Sequence, residues 1–362
     1  FQEAKALEAQ GRSVIHLEFG EPDFDTPAPV REAAVKALAD GRTHYVHSMG
    51  IPAFREAIAK YHNRKYGLAI HPDQILVSMG TSVIMQLVML MLLEPGDEVV
   101  LTDPAYACYA NFVRIAGGRP VFVRIREEEG FQPDLEAIRR AITPRTRAVM
   151  ICSPANPTGV VTRPELLRGL AELPVPVISD EIYHGLTYGG EEHSLLEFTE
   201  RAFVMNGFSK YFAMTGWRLG YLIFPRELQP TVMRLHQNIM ISANDFIQYA
   251  GIAALREAIP ICEGYKKEYD RRRLFIVRRL AEIGLPLRYE PAGAFYCFSD
   301  ASRYGKDSLA LARELLERTG VALTPGIDFG PGGEGYLRFS YARSLEDIAE
   351  AMNRLGEYLQ SR

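Results

Sequence analysis

From about residue 75, short apolar runs alternate with longer stretches in which apolar and polar residues recur at helical spacing. Ile75–Met79, Glu98–Leu101, Pro120–Ile125, Ala148–Cys152, Val175–Ser179, Ala202–Asn206 and Leu219–Phe224 read as strands. Thr81–Leu93, Tyr106–Ala116, Asp134–Ala141 and Pro164–Leu173 read as the helices between them. Glu94-Pro95-Gly96-Asp97 and Gly117-Gly118 are the turns that separate the first of these. The alternation predicts an α/β fold, with a mostly parallel sheet flanked by helices. Such sheets bind ligands just beyond the carboxyl ends of their strands.

The rest of the chain has a different texture. Ile261–Ile283 reads as one long charged helix that ties two domains together or caps the sheet. Its Arg271-Arg272-Arg273 run reads as a solvated face. Strands at Ala294–Ser299 and Tyr336–Tyr341 and helices at Ser308–Arg318 and Ser344–Leu359 then suggest a smaller α+β domain. Gly-Pro-Gly-Gly at 330–333 reads as a turn.

Composition narrows the class. At roughly 150 residues per domain, 362 residues make about two domains. Hydrophobic residues at 47% and charged ones at 24% exclude a disordered, collagen-like or disulfide-scaffold chain. With a net charge of −4 and a pI near 6.1, no basic field recruits nucleic acid or anionic lipid. The apolar run Val83–Leu93 is too short for a bilayer and is broken by Gln86, so a buried helix is expected rather than a membrane span. Cys108, Cys152, Cys262 and Cys297 are widely spaced, which suggests a reducing compartment, the cytoplasm. No signal-peptide pattern follows Phe1. Phosphate-loop, dinucleotide-loop, zincin and serine-elbow motifs are absent. His44 and His47 lack carboxylate or cysteine partners at ligand spacing, so no metal is expected.

Lysine is scarce: 8 of the 41 basic residues, against 41 − 8 = 33 arginines, with Lys210 alone between Lys65 and Lys266. Lys210 follows the strand Ala202–Asn206, at the edge where a ligand belongs. A desolvated lysine there has a lowered pKa and can form a Schiff base with a carbonyl compound. Three further strand ends carry chemistry to that edge. Asp180 ends one strand, Asn156 follows another, and Gly80-Thr81-Ser82 lies at a strand-to-helix junction whose free N–H groups favour a phosphate. Arg218, eight residues after Lys210, adds a cation that can grip phosphate with two N–H groups. Taken singly, these are a loop lysine, a helix cap, a turn residue and a surface ion pair; four strand ends together point to a site.

These segments, with Phe19–Phe24, His44-Tyr45, Asp103–Tyr106, Asn156-Pro157-Thr158-Gly159, Asp180–Tyr183, Ser209-Lys210, Gly216–Gly220 and Tyr336–Ser340, make the chain recognisable. It resembles the class I/II aminotransferases, which are fold-type-I pyridoxal 5′-phosphate enzymes, across essentially its whole length. The resemblance implies a large cofactor-binding α/β domain at 41–270. A smaller α+β domain would come from 1–40 and 271–362, with boundaries good to about 15 residues. It implies an internal Schiff base at Lys210, whose freed amine then moves the substrate proton. Asp180 would keep the pyridine nitrogen protonated, and Asn156 and Tyr183 would hydrogen-bond the ring oxygen. Tyr106 would stack on the ring. Gly80, Thr81, Ser82 and Arg218 would hold the phosphate. Some relatives have a serine where this chain has Gly207, so Ser209 stands as the alternative phosphate contact. Arg338 would take the substrate α-carboxylate as a planar fork, which lysine cannot form, with the backbone of Gly20 and the Asn156 side chain beside it. Tyr45 matches a tyrosine that reaches the neighbouring subunit's phosphate, which implies a homodimer.

The implied activity is transfer of an amino group from an L-amino acid to a 2-oxo acid, 2-oxoglutarate foremost, by a ping-pong route. No arginine can be assigned to a second substrate carboxylate. The neutral Ser242, Ala243, Asn244 and Phe246, expected near the neighbour's site, leave aspartate, alanine and aromatic amino acids as candidates. Two alternatives remain. A C–S β-lyase on this fold uses the same lysine and aspartate, although Gly216-Trp217-Arg218 and Gly20-Glu21-Pro22 favour transamination. A regulatory ligand-binding domain is the other, although no helix-turn-helix or basic arm is seen.

Overall fold

The computed structural model describes residues 2–361. Helix α1 (Gln2–Ala9), the short strand β1 (Ile15–His16), and helices α2 (Ala28–Ala39) and α3 (Pro52–Tyr66) precede the alternating region. That region runs β2 (Ile75–Ser78), α4 (Thr81–Leu92), β3 (Glu98–Asp103), α5 (Tyr109–Ile115) and β4 (Arg119–Arg124). It continues with α6 (Leu135–Ala141), β5 (Thr146–Cys152), α7 (Pro164–Ala171), β6 (Val177–Asp180), β7 (Phe203–Gly207) and β8 (Gly220–Ile223).

Strands β2 to β8 form one seven-stranded sheet in the order β2-β8-β7-β6-β5-β3-β4. Strand β8 runs antiparallel to both neighbours, and the other pairings are parallel. The predicted mostly parallel sheet is therefore present, with one reversal that periodicity does not reveal. The reversal matters for function. β8 begins at the edge where the parallel strands end, with Gly220 opposite both Gly207 and Ser78, so the Arg218 that precedes it is delivered to the ligand edge.

The strands are apolar on both faces because both are covered. Leu76, Val99, Met150, Ile178, Met205 and Leu222 pack with α4 residues such as Ile84, Leu87 and Val88 on one face. Val77, Val100, Val149, Val177, Val204 and Tyr221 alternate with them and join a larger core on the other. Helix α4 takes up most of the Val83–Leu93 run, with Ile84, Met85, Leu87, Val88 and Met89 buried. No helix among the described residues is long and apolar enough to cross a membrane.

Helices α8 (Gln229–Met240), α9 (Asp245–Ala253) and α10 (Ile259–Glu282) follow, with a π-helical turn at Ala254–Ala258 between the last two. The chain then adds β9 (Tyr296–Asp300), α11 (Ser308–Thr319), β10 (Val321–Ala322), β11 (Thr324–Pro325), β12 (Tyr336–Ser340) and α12 (Leu345–Gln360). β11, β12 and β9 make a separate antiparallel three-stranded sheet. β1 pairs in parallel with β10, so the beginning of the chain is stitched to its last third.

Two expectations need correction. Helix α5 starts at Tyr109, not Tyr106. The Ala105 N–H is spent on the Phe329 carbonyl, and helical bonding begins with Phe112 N–H to the Cys108 carbonyl. The Arg271-Arg272-Arg273 run is not one solvated face: Arg272 and Arg273 are buried. Successive helical residues point about 100° apart, so three in a row cannot share a side. Arg273 pairs with Asp270 at 2.8 Å and Glu290 at 3.3 Å, and Arg272 pairs with Glu268 and Asp23.

Candidate active site

The carboxyl ends of β5 and β6 lie side by side, with Cys152 opposite Asp180. Beyond them opens a cavity of about 450 Å³ lined by Gly20, Thr81, Ser82, Tyr106, Asn156, Asp180, Tyr183, Ser209, Lys210, Arg218 and Arg338. Eleven of the site residues named from the sequence thus meet in one place. Gly80 is just behind this lining, as the N-cap of α4. Tyr45 is elsewhere: it is 80% exposed and outside the lining.

Lys210 donates from Nζ to the Gly20 carbonyl at 2.5 Å. Burial pushes its pKa down to about 8, and the Arg338 guanidinium adds to the fall. Asp180 moves the opposite way, pushed up to about 6 by burial against the opposing hydrogen bond from Tyr109. Its Oδ2 accepts from the Tyr109 hydroxyl at 2.7 Å and its Oδ1 from the Ile182 N–H at 3.2 Å. Both groups are therefore pressed toward neutrality, because burial outweighs the charges around them. Burial raises the Tyr183 phenol well above its ordinary range, so the hydroxyl keeps its proton. It lies 2.9 Å from the Tyr296 hydroxyl.

At the opposite end, Gly80 has φ +86, and a Cβ there would lie 2.6 Å from Arg218 Nη2. Only glycine lets the guanidinium approach the first turn of α4 so closely. Arg218 itself sits at φ 53, an uncommon backbone setting for a side-chain-bearing residue, with Nη1 donating to the Thr215 carbonyl at 2.9 Å. Helix N–H groups, two hydroxyls and a guanidinium make a dianion cradle. Arg338 donates from Nη1 to Asn156 Oδ1 at 2.9 Å and from Nη2 to the Glu18 carbonyl at 2.6 Å. Its Nε is buried without a hydrogen-bond partner.

An amine, a buried carboxylate, a helix N-terminus with two hydroxyls and two guanidinium groups lining one cavity fit pyridoxal 5′-phosphate and an amino acid. The sequence reading missed Tyr109, Tyr296 and Glu21, which also line the cavity. Tyr109 has a local signal, lying three residues after Tyr106 where α5 begins. Tyr296 has none: its place under Arg338, 4.3 Å from ring centre to guanidinium, depends on the register of β9 with β12. Glu21 accepts a hydrogen bond from the Thr215 hydroxyl.

Comparison with known proteins agrees with this geometry. The family model for aminotransferase class I and II matches residues 12–355. The chain is 42% identical to an aspartate/prephenate aminotransferase of Thermus thermophilus, over 98% of this chain and 94% of that one. It is 40% identical to a (5-formylfuran-3-yl)methyl phosphate transaminase of Methanocaldococcus jannaschii, over 98% and 94%. Among solved structures, an aromatic aminotransferase from Pyrococcus horikoshii superposes with a TM-score of 0.93 at 38% identity, covering 99% of both chains. This chain belongs to the class I and II aminotransferases and is a pyridoxal 5′-phosphate-dependent aminotransferase.

Proposed function

We propose that the enzyme moves an amino group from an L-amino acid to 2-oxoglutarate in two alternating half-reactions at this one cavity. The observation that carries the reading is the single cavity lined by Lys210, Asp180, Asn156, Arg218 and Arg338, in which burial lowers the lysine and raises the carboxylate. When bound, pyridoxal 5′-phosphate supplies an aldehyde for covalent capture of amines and a ring that draws electrons from the substrate α-carbon. Thr81, Ser82, Arg218 and the N-terminus of α4 with Gly80 would hold its phosphate, and Ser209 is the further candidate contact. Asp180 would hold the proton on its ring nitrogen; Asn156 and Tyr183 would bind its ring oxygen and Tyr106 its face.

Lys210 would take the proton from the substrate α-carbon and hand it to the cofactor carbon that carried the aldehyde, with the reverse transfer in the second half-reaction, a task its lowered pKa suits near neutral pH. Arg338 binds the α-carboxylate through its planar fork, and Asn156 keeps the guanidinium oriented. The Gly20 backbone lies within reach of the same carboxylate. Aspartate, alanine and aromatic amino acids are the donors to test; relatives named for aspartate, prephenate and aromatic substrates support that range.

Tyr45 completes the site of a second copy in this reading. Its 80% exposure supports that role, as do the exposed Ile239 and Ile241 on the segment that meets Val46 through Ser242. A monomer by light scattering would remove it from the site. The separate sheets support a large domain at 41–270 and a smaller one from 1–40 and 271–362. The packing of α2 on α9 favours a first boundary at the early end of its range. Four free cysteines support a cytoplasmic setting.

The deciding experiment mixes the loaded enzyme with each amino acid in turn, without acceptor. The true donor releases one equivalent of its 2-oxo acid in a single burst, and Lys210→Ala releases none. Steady release of pyruvate and ammonia from a β-substituted amino acid would instead establish the lyase.

A further inference from the structure

We propose that Arg272, with Asp23, is a positioning residue for the reaction: the pair anchors the chain segment whose carbonyls orient Lys210 and Arg338. The inference rests on the aminotransferase reading of the cavity, but its physical basis is separate. Residues 18–22 cross the cavity between two fastenings. On the near side, the Leu17 N–H donates to the Ala322 carbonyl at 3.0 Å, and the Leu17 carbonyl accepts from the Ser340 N–H at 2.8 Å. On the far side, Arg272 Nη1 donates to both oxygens of Asp23, at 2.9 and 2.8 Å. The Tyr269 hydroxyl adds a bond to Asp23 at 3.2 Å.

The anchor continues through the next residues. Phe24 stacks on Tyr265 with ring centres 4.2 Å apart, and the Arg272 guanidinium lies 5.1 Å from the Phe24 centroid. Thr26 donates to the Ala213 carbonyl at 2.6 Å and accepts from the Trp217 indole at 2.9 Å.

The suspended stretch touches the reacting groups directly. The Gly20 carbonyl takes the Lys210 ammonium and the Glu18 carbonyl takes Arg338 Nη2. Its path has little slack, since a Cβ at Gly20 would collide with the Tyr296 hydroxyl. Any shift at Asp23 is therefore passed to both functional side chains. A guanidinium suits the anchor because its Nη1 holds Asp23 while its Nε holds Glu268 and its plane lies over the Phe24 ring, three contacts in fixed directions that a single ammonium nitrogen does not provide. A buried ion pair is a weak source of stability but a sharp source of geometry. Arg272 gains its importance from where it holds the chain.

The test uses the cofactor-loaded enzyme and two variants, Arg272→Lys and the near-isosteric Asp23→Asn. We expect KM for amino acid and 2-oxo acid alike to rise about tenfold through Arg338, and kcat to fall about tenfold through Lys210. A glutamate-specific protease, which can cut the Glu18–Phe19 bond, should cleave the variants there about tenfold faster, read by mass mapping of the fragments. Unchanged KM with unchanged cleavage overturns the proposal, even if the melting temperature falls. If Arg272→Lys fails to fold, Asp23→Asn decides alone. Should wild type transaminate no amino acid, the cavity's assigned reaction fails, while the cleavage comparison still judges the anchor.

Discussion

Two buried clusters of titratable groups share the turn from Asp180 to Gly185, and they behave in opposite ways. Asp180 and Tyr183 face the cavity with Lys210, whereas Glu181 and His184 join Glu192, Lys65 and Tyr66. In the second cluster Glu192 accepts from Lys65 at 2.5 Å, the Tyr66 hydroxyl at 2.8 Å, the Gly185 N–H at 2.6 Å and the Thr187 hydroxyl at 2.9 Å. Burial alone would raise its carboxyl, but His184 and Lys65 outweigh burial and hold it well below the carboxylate range. Lys65 is likewise held above the ordinary lysine range, because Glu192 and Tyr61 overcome the burial that would lower it. In the cavity burial wins, so the lysine falls and the aspartate rises. Burial is common to both, and pairing is what differs. A lysine and a carboxylate that satisfy each other, as Lys65 and Glu192 do, support the fold, although burial still raises the neighbouring Glu181 carboxyl. A lysine and a carboxylate in which burial wins, beside an open cavity, are prepared for a ligand.

The largest test of this contrast is Asp180→Asn. Activity should drop about 10²–10³-fold, because a neutral amide cannot keep the ring nitrogen protonated. The cofactor-free variant should nevertheless be more stable than wild type by about 1–3 kcal/mol at pH 7.5 in urea unfolding. The sign follows from a folded pKa near 6 against an ordinary 3.8. The contribution of Asp180 to the stability of the cofactor-free wild type is fully present below pH 4 and is lost as pH rises through 6, and the asparagine variant lacks that loss. A cofactor-free variant less stable than wild type would break the comparison.

Next in size is Glu192→Gln. Removing this charge unpairs Lys65 and weakens the acceptor that Tyr66, Thr187 and the Gly185 N–H share, so unfolding free energy should fall by about 1–2 kcal/mol. Transamination by the folded protein should stay within about threefold of wild type. Activity lost without any loss of stability would mean the second cluster belongs to the site.

The smallest effect sharpens the contrast between the two lysines. Capture of the cofactor by cofactor-free protein needs a neutral amine. Its rate should rise about tenfold per pH unit up to 8 and level off above, rather than climbing to the ordinary 10.5. Borohydride trapping at pH 8 followed by peptide mapping should mark Lys210 and spare Lys65.

How far the site was legible follows from distance along the chain. Strand, loop and helix onset are local patterns with periods of 2 and 3.6, so strand-end residues such as Asp180, Asn156 and Lys210 could be placed from short windows. Tyr296 and Glu21 could not. Each acquires its place from a partner far off in sequence, as when Arg338 bonds Asn156 across 182 positions. The arginine run shows the same limit, because charge alone suggested solvent while Asp23, 249 residues from Arg272, provided a buried partner.

The sequence by itself determined the α/β alternation, the residues at the strand ends and the chemistry those residue types carry. Hydrophobic period and backbone geometry are properties of neighbouring residues. Tertiary structure alone decided the reversal of β8 that brings Arg218 to the ligand edge. It also decided the register that sets Tyr296 beneath Arg338, and the burial that moves Lys210 and Asp180 toward each other's range. Those depend on which surfaces exclude water together, and no single stretch of chain holds that information.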